Sequence, residues 1–180
     1  MVLATQNPIE MEGTYPLPEA QVDRFFFKLQ LQYPNRDELT RIADLTTARP
    51  VGQLQKILDA TEILELRDWV REVPLADVVK DYAVRLVLAT RPDRETGDGR
   101  SLVNKFVVYG SSPRGLQSLI LAAKSRALFA GRPNVSFEDI QAMALPSMRH
   151  RLILNLEADA EGITADRILT ELLGELPEAP

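Results

Sequence analysis

The sequence predicts a mainly α fold of the α+β class, with a remnant of a parallel α/β sheet over residues 1–47 and an all-helical domain over 48–180. Three observations carry this. Met1 to Ala4 is apolar and ends at polar Thr5-Gln6-Asn7-Pro8, as the last residues of a buried parallel strand do on reaching a sheet edge. Phe25 to Leu31 begins apolar and turns to alternation, the pattern of a second strand. Beyond Gly52 the apolar residues recur at helical spacing instead.

The elements follow in order. Pro8, Gly13, Pro16 and Pro18 mark residues 8–18 as loop. Glu19 to Asp23 suits one helical turn, and Pro34 closes the second strand. Asn35, with Glu38 three residues on, has the spacing of a capping box and opens a helix reaching Ala43 to Thr46. Breakers between Thr46 and Gly52 set the domain boundary. Leu54, Ile57, Leu58, Ile63 and Leu64 then form a helical face, with a break somewhere in it, that ends near Val73-Pro74. A further helix starts about Leu75, turns Val78, Val79, Tyr82, Leu86 and Ala89 inward, and stops at Arg91-Pro92. The charged, Gly-containing stretch 92–100 reads as a solvated loop. Phe106 to Tyr109 is a short apolar run leading into Gly110. Ser112 before Pro113 is a helix start, because Ser caps and Pro fits the first helical position. That helix ends at Gly131-Arg132-Pro133; another runs from Ser136 to Pro146, and a last one spans Thr164 to Leu173 between Gly162 and Gly174. Trp69 and the Phe25 to Phe27 cluster are expected in the core.

Composition bounds the function. The chain has 180 residues, 45% hydrophobic and 26% charged, with mean hydropathy of -0.12: a globular chain with a real core. No apolar run approaches the roughly 18 residues of a spanning helix, and the first residues lack the basic leader of a secretory signal, so no stable membrane insertion and a cytoplasmic site are expected. There is no cysteine, which excludes disulfides and cysteine zinc sites, and a single histidine excludes a histidine-rich metal cluster. Net charge is -5, with no global basic footprint for nucleic acid.

Three polar islands carry candidate chemistry. Asn7 lies just past the first strand, where an amide can hold an attacking water and a phosphate oxygen at once; Asn7-Pro8 is otherwise a strand-ending turn. Arg24, between Asp23 and three Phe residues, is a permanent cation that points outward or finds an anion: either a finger into a neighbouring subunit's nucleotide or a salt bridge to Asp23 or Glu19. Arg114 stands in the first turn of its helix, where the backbone favours an anion and a cation is a poor match to the dipole. With Ser112 and the free amides it suits a triphosphate; alternatively it is an exposed arginine of small cost. Arg149-His150-Arg151 suits an acidic partner or an interdomain carboxylate, and Glu157, Asp159 and Glu161 have no His or Cys support for a metal.

In order and spacing, Asn7, Glu19-Ala20-Gln21-Val22-Asp23-Arg24-Phe25 and Ser111-Ser112-Pro113-Arg114-Gly115 resemble the sensor 1, arginine finger and sensor 2 regions of the MoxR family of AAA+ ATPases. Gly131-Arg132-Pro133 and Leu145 to Arg151 are similar to its lid signatures, so the resemblance covers nearly the whole chain. It implies a remnant of the AAA+ core sheet followed by a helical AAA+ lid. It assigns Asn7 to orienting water, Arg24 to acting in trans on the adjacent subunit, and Ser112 and Arg114 to the nucleotide. It also implies ATP and Mg2+, a ring, expected to be a hexamer, and chaperone-like remodelling of partners such as proteins with von Willebrand factor A domains. A phosphate loop G-x-x-x-x-G-K-[ST] is missing: no Gly is followed by Lys, and Gly110 to Gly115 continues into Leu116-Gln117. That loop and the acidic strand for Mg2+ would precede Met1, so the chain alone is not expected to hydrolyse ATP. Two other readings compete: a stand-alone helical interaction module with ATPase relics, and a nucleic-acid-binding domain using Arg149 to Arg151, which net charge disfavours.

Overall fold

A computed structural model of the chain describes residues 2–6, 17–48, 55–93 and 101–178. Its helices are α1 (Glu19–Val22), α2 (Arg36–Thr47), α3 (Ala60–Glu72), α4 (Asp77–Ala89), α5 (Leu102–Phe106), α6 (Pro113–Phe129), α7 (Phe137–Met148), α8 (Leu156–Glu161) and α9 (Ala165–Glu175). Two short strands, β1 (Val107–Tyr109) and β2 (Ile153–Leu154), pair antiparallel with Val107 opposite Leu154 and Tyr109 opposite Ile153. The mainly α, α+β class therefore holds.

Local chemistry places most helix starts. Asn35 accepts from the Glu38 backbone while the Glu38 carboxylate accepts from the Asn35 N–H, the reciprocal cap expected for α2. Asp59 and Glu62 do the same for α3, which starts after Ile57 and Leu58, both expected on its helical face, while Leu54 lies outside the described residues. Ser112 caps α6, with Pro113 at its first position. Past the end of α6, Gly131 sits at φ +66°, in the left-handed region that glycine enters freely.

The core lies where α6 packs on α7, α4 and α3, and α9 on α7 and α4. Tyr82, Leu86, Phe106, Leu119, Ile140, Met148, Ile168 and Leu169 are buried there. The β1–β2 pair joins the run into α6 to the run out of α7. It thereby sets α6 beside Arg151, which donates to Ser118 across 33 residues of chain. Thr90, buried at the end of α4, fixes the approach to α6 by accepting from the Ser111 N–H at 2.9 Å. Gly110 passes so close that a Cβ there would lie 2.5 Å from the Thr90 carbonyl oxygen.

Several expectations need correcting. Residues 2–6 and 25–31 form no sheet pairing among the described residues; an extended segment becomes a strand only against a neighbour that takes its backbone bonds, and Lys28 gives its N–H to the Pro146 carbonyl of α7 instead. The domain after residue 48 is not wholly helical, since it contains β1 and β2. Pro146 lies inside α7 rather than ending it: near the C-terminus only one helical bond is forfeited, and Arg149 N–H still reaches the Leu145 carbonyl. Gly174 likewise falls inside α9. Helices α5 and α8, too short for a periodic signal, are started by the side chains of Ser101 and Asn155. Trp69 is 55% exposed, and Phe26 and Phe27 are also exposed. Helices α2 and α3 bury no side chain, although α3 packs along α6.

Candidate functional site

Asp23, just after α1, is the centre of the best-formed polar cluster near the predicted site residues. Its carboxylate accepts from Ser112 Oγ at 2.8 Å, from Arg151 Nε at 3.1 Å and from Arg114 Nη1 at 3.5 Å. Burial raises its pKa, but the Ser112 hydrogen bond, the Arg151 charge and the guanidinium hydrogen bonds outweigh this and hold it below the ordinary carboxylate value. The two arginines differ in freedom. The Arg151 side chain is 2% exposed and also donates to the Asp23 carbonyl at 2.9 Å, the Phe25 carbonyl at 2.8 Å, Ser118 Oγ at 3.2 Å and the Ser147 carbonyl. Arg114 is 55% exposed and meets only Asp23 among the described residues.

Arg149-His150-Arg151 works as a clasp on the turn 23–28. His150 Nε2 lies 3.0 Å from the Phe25 carbonyl, so it is the protonated nitrogen, and Nδ1 is buried without a partner. Burial, together with the nearby Arg151 and Lys28 charges, keeps the imidazole below its ordinary pKa. Arg149 pairs with Asp166 of α9 at 2.9 Å and donates to the Lys28 carbonyl at 3.3 Å. The carboxylates that this triad meets are Asp166 and Asp23, the latter a partner 128 residues away that no local pattern identifies.

Arg114 and Ser112 come together at the start of α6, and Arg24 follows Asp23 directly. The Ser112 hydroxyl is already engaged, donating to Asp23 and accepting from the Arg114 N–H, which leaves the guanidinium as the more available group. Arg24 is exposed and makes no side-chain hydrogen bond or ion pair among the described residues; Asp23, its nearest carboxylate in sequence, is taken by other cations. Asn7 lies outside the described residues. Asp23, Arg24, Arg114 and Arg151 leave a surplus of positive charge at a helix N-terminus, an arrangement suited to an anion. An open cleft of about 890 Å3 lies elsewhere: Phe26, Phe27, Phe129 and Met143 line it, and none of Arg24, Ser112 or Arg114 does. Glu157 and Glu161 pair with Lys105 at 3.5 and 2.8 Å, and no group of three or more His, Cys, Asp or Glu among the described residues is placed to hold a metal. No helix among the described residues is long and apolar enough to cross a membrane.

Residues 99–172 match the AAA lid domain family, and residues 1–27 match the ATPase family associated with various cellular activities (AAA). The chain is 39% identical over 173 residues to YeaC, an uncharacterised Bacillus subtilis protein, with 96% of this chain and 51% of YeaC covered. It is 38% identical to the chaperone MoxR1 of Mycobacterium tuberculosis, covering 96% of this chain and 45% of MoxR1. A Cytophaga hutchinsonii protein assigned as an ATPase superposes with a TM-score of 0.87 at 38% identity, over 96% of this chain and 52% of that one. The chain therefore belongs to the MoxR-like AAA+ ATPases and corresponds to their C-terminal part. It spans about half the length of the relatives it matches.

Proposed function

We propose that this chain is the lid-bearing part of a MoxR-type ATPase that couples ATP binding and hydrolysis to chaperone-like remodelling of partner proteins. The observation that carries the reading is the paired state of Asp23. Its carboxylate is committed to Arg151 and Ser112, which leaves Arg114 loosely held at a helix start and Arg24 unpaired beside it. One loosely held guanidinium and one unpaired guanidinium, both exposed, supply the charge that polyphosphates call for. In this reading Arg114 receives the phosphates of its own subunit and Arg24 reaches those of a neighbour in a ring, expected to be a hexamer. Asn7 orients the attacking water. Mg2+ and the phosphate loop are supplied outside this chain and neutralise charge on the transferred phosphoryl group, so the chain alone does not turn over ATP. The name of MoxR1 as a chaperone supports the remodelling role, and proteins with von Willebrand factor A domains are the expected partners, in the cytoplasm.

The test is ATP turnover after the chain is combined with a separately expressed half carrying the phosphate loop. Restored turnover that collapses with Arg114→Ala is the expected result; a stable complex with no turnover would remove the ATPase reading. A second reading, a helical interaction module that uses no nucleotide, draws on the exposed apolar residues of α2 and α3, such as Leu39, Ile42, Leu64 and Trp69. It predicts self-association of the chain that ATP does not alter.

A further inference from the structure

The turn bearing Arg24 is fastened to the helical domain rather than left free. Arg151 bonds the carbonyls of Asp23 and Phe25, His150 the carbonyl of Phe25, and the Lys28 N–H the carbonyl of Pro146. The residue next to Arg24 is also the residue that holds Arg114. We propose that Asp23 is a positioning residue, whose carboxylate ties the phosphate-facing Arg114 and the Arg24 turn to the same buried guanidinium, so that capture of Arg114 by phosphate is felt at Arg24.

The asymmetry of the cluster gives the direction of the effect. The buried Arg151 is saturated by backbone and hydroxyl acceptors and is the fixed post. The Arg114 contact is long at 3.5 Å and more than half exposed, and a pair of that kind yields to a stronger anion. When Arg114 leaves, Asp23 keeps only Ser112 and Arg151, its charge is less neutralised, and the turn it begins resettles on Arg151. Arg24, one residue on, moves with it. The state of phosphate at one subunit's lid thereby sets the posture of the arginine that subunit offers to its neighbour. This rests on the nucleotide reading of Arg24 and Arg114.

The experiment follows backbone amide resonances of the 15N-labelled chain in Arg114→Gln, Asp23→Asn and the double variant, and in the wild type and Asp23→Asn titrated with sodium tripolyphosphate. Arg114→Gln changes an exposed side chain and leaves the fold intact. The expected result is that it shifts Arg24 and Phe25, and that the same change made on Asp23→Asn leaves them still. Tripolyphosphate should shift Arg114, Gly115, Arg24 and Phe25 in the wild type, and only Arg114 and Gly115 in Asp23→Asn. Shifts at Arg114 and Gly115 that never reach Arg24 in the wild type, whether from the substitution or from tripolyphosphate, overturn the coupling. If Arg114→Gln shows the coupling while tripolyphosphate moves nothing, the link through Asp23 stands and the phosphate reading fails. Should Asp23→Asn detach the turn altogether, Arg114→Gln in the wild-type background still decides the question.

Discussion

Asp139 offers the sharpest test of how the helical domain is held together. It is fully buried in the first turn of α7, accepts from the Ser136 N–H at 3.0 Å, and pairs with Arg126 at 2.5 Å and Arg132 at 2.5 and 2.6 Å. Burial raises its pKa, but the hydrogen bonds from Arg132, the Ser136 backbone and Arg126 outweigh burial and hold the carboxyl far below the ordinary carboxylate range. Asp139→Asn keeps the shape and removes the charge, leaving two guanidiniums against a neutral amide. Removing one partner of a buried pair costs about 3–5 kcal/mol. Both arginines are partly exposed, at 44% and 35%, and recover some hydration, so the lower end applies, about 3 kcal/mol. With a urea dependence of about 2 kcal/mol/M, the unfolding midpoint should fall by about 1.5 M. The pH dependence has a definite sign: the folded carboxyl binds its proton less readily than the unfolded one, so its contribution is complete above about pH 4 and is lost as pH falls below that. Asp139→Asn should abolish that loss. A midpoint moved by less than about 0.25 M would refute the account of Asp139 as the hub of this domain.

Other predictions concern the approach to α6 and the clasp. Gly110→Ala drives a Cβ into the Thr90 backbone, which cannot rotate away; overpacking of about 1–3 kcal/mol should lower the melting temperature by roughly 3–10 °C, and an unchanged melt would mean that this close approach relaxes freely. The His150 imidazole, held below its ordinary pKa, favours folding above about pH 6.5 and loses that contribution as pH falls through its depressed folded value. Hydrogen-exchange protection of Phe25 to Lys28 should therefore weaken from pH 7.5 to 5.5, and His150→Gln, which retains a donor for the Phe25 carbonyl, should flatten the trend. Arg24→Ala should leave the urea midpoint of the chain where it was, because the side chain is exposed and unpaired among the described residues; a clear drop would assign Arg24 a structural role.

Features set by neighbouring residues were legible in the sequence. The Asn35-Glu38 cap, the Ser112-Pro113 start and the inward positions Val79, Tyr82 and Leu86 of α4 rest on spacings of one to four residues and took their expected places, whereas Val78, expected inward, is exposed. Pro146 misled because a proline removes its own N–H bond to the preceding turn without stopping the residues after it from staying helical, and α7 runs on to Met148. The strands expected near the N-terminus failed for a different reason: apolar alternation marks a segment fit to pair and does not supply the neighbour. At the site, the arginines were recognisable one by one. Their organiser was not, since the bond from Arg151 to Asp23 spans 128 residues, beyond the reach of any local spacing. Charge density at Arg149 to Arg151 was the available signal, and it pointed to a carboxylate without naming one.

The most direct test of the central claim is a mixing experiment on the completed ATPase. One population carries an intact phosphate loop and Arg24→Ala; the other carries wild-type Arg24 and a phosphate loop unable to bind ATP. Each alone should be inactive. Mixed rings should recover ATP turnover, because the arginine of one subunit serves the nucleotide of the next, where such a group is worth about 10³–10⁵ in rate. Mixed rings that form and stay inactive would contradict the assignment of Arg24.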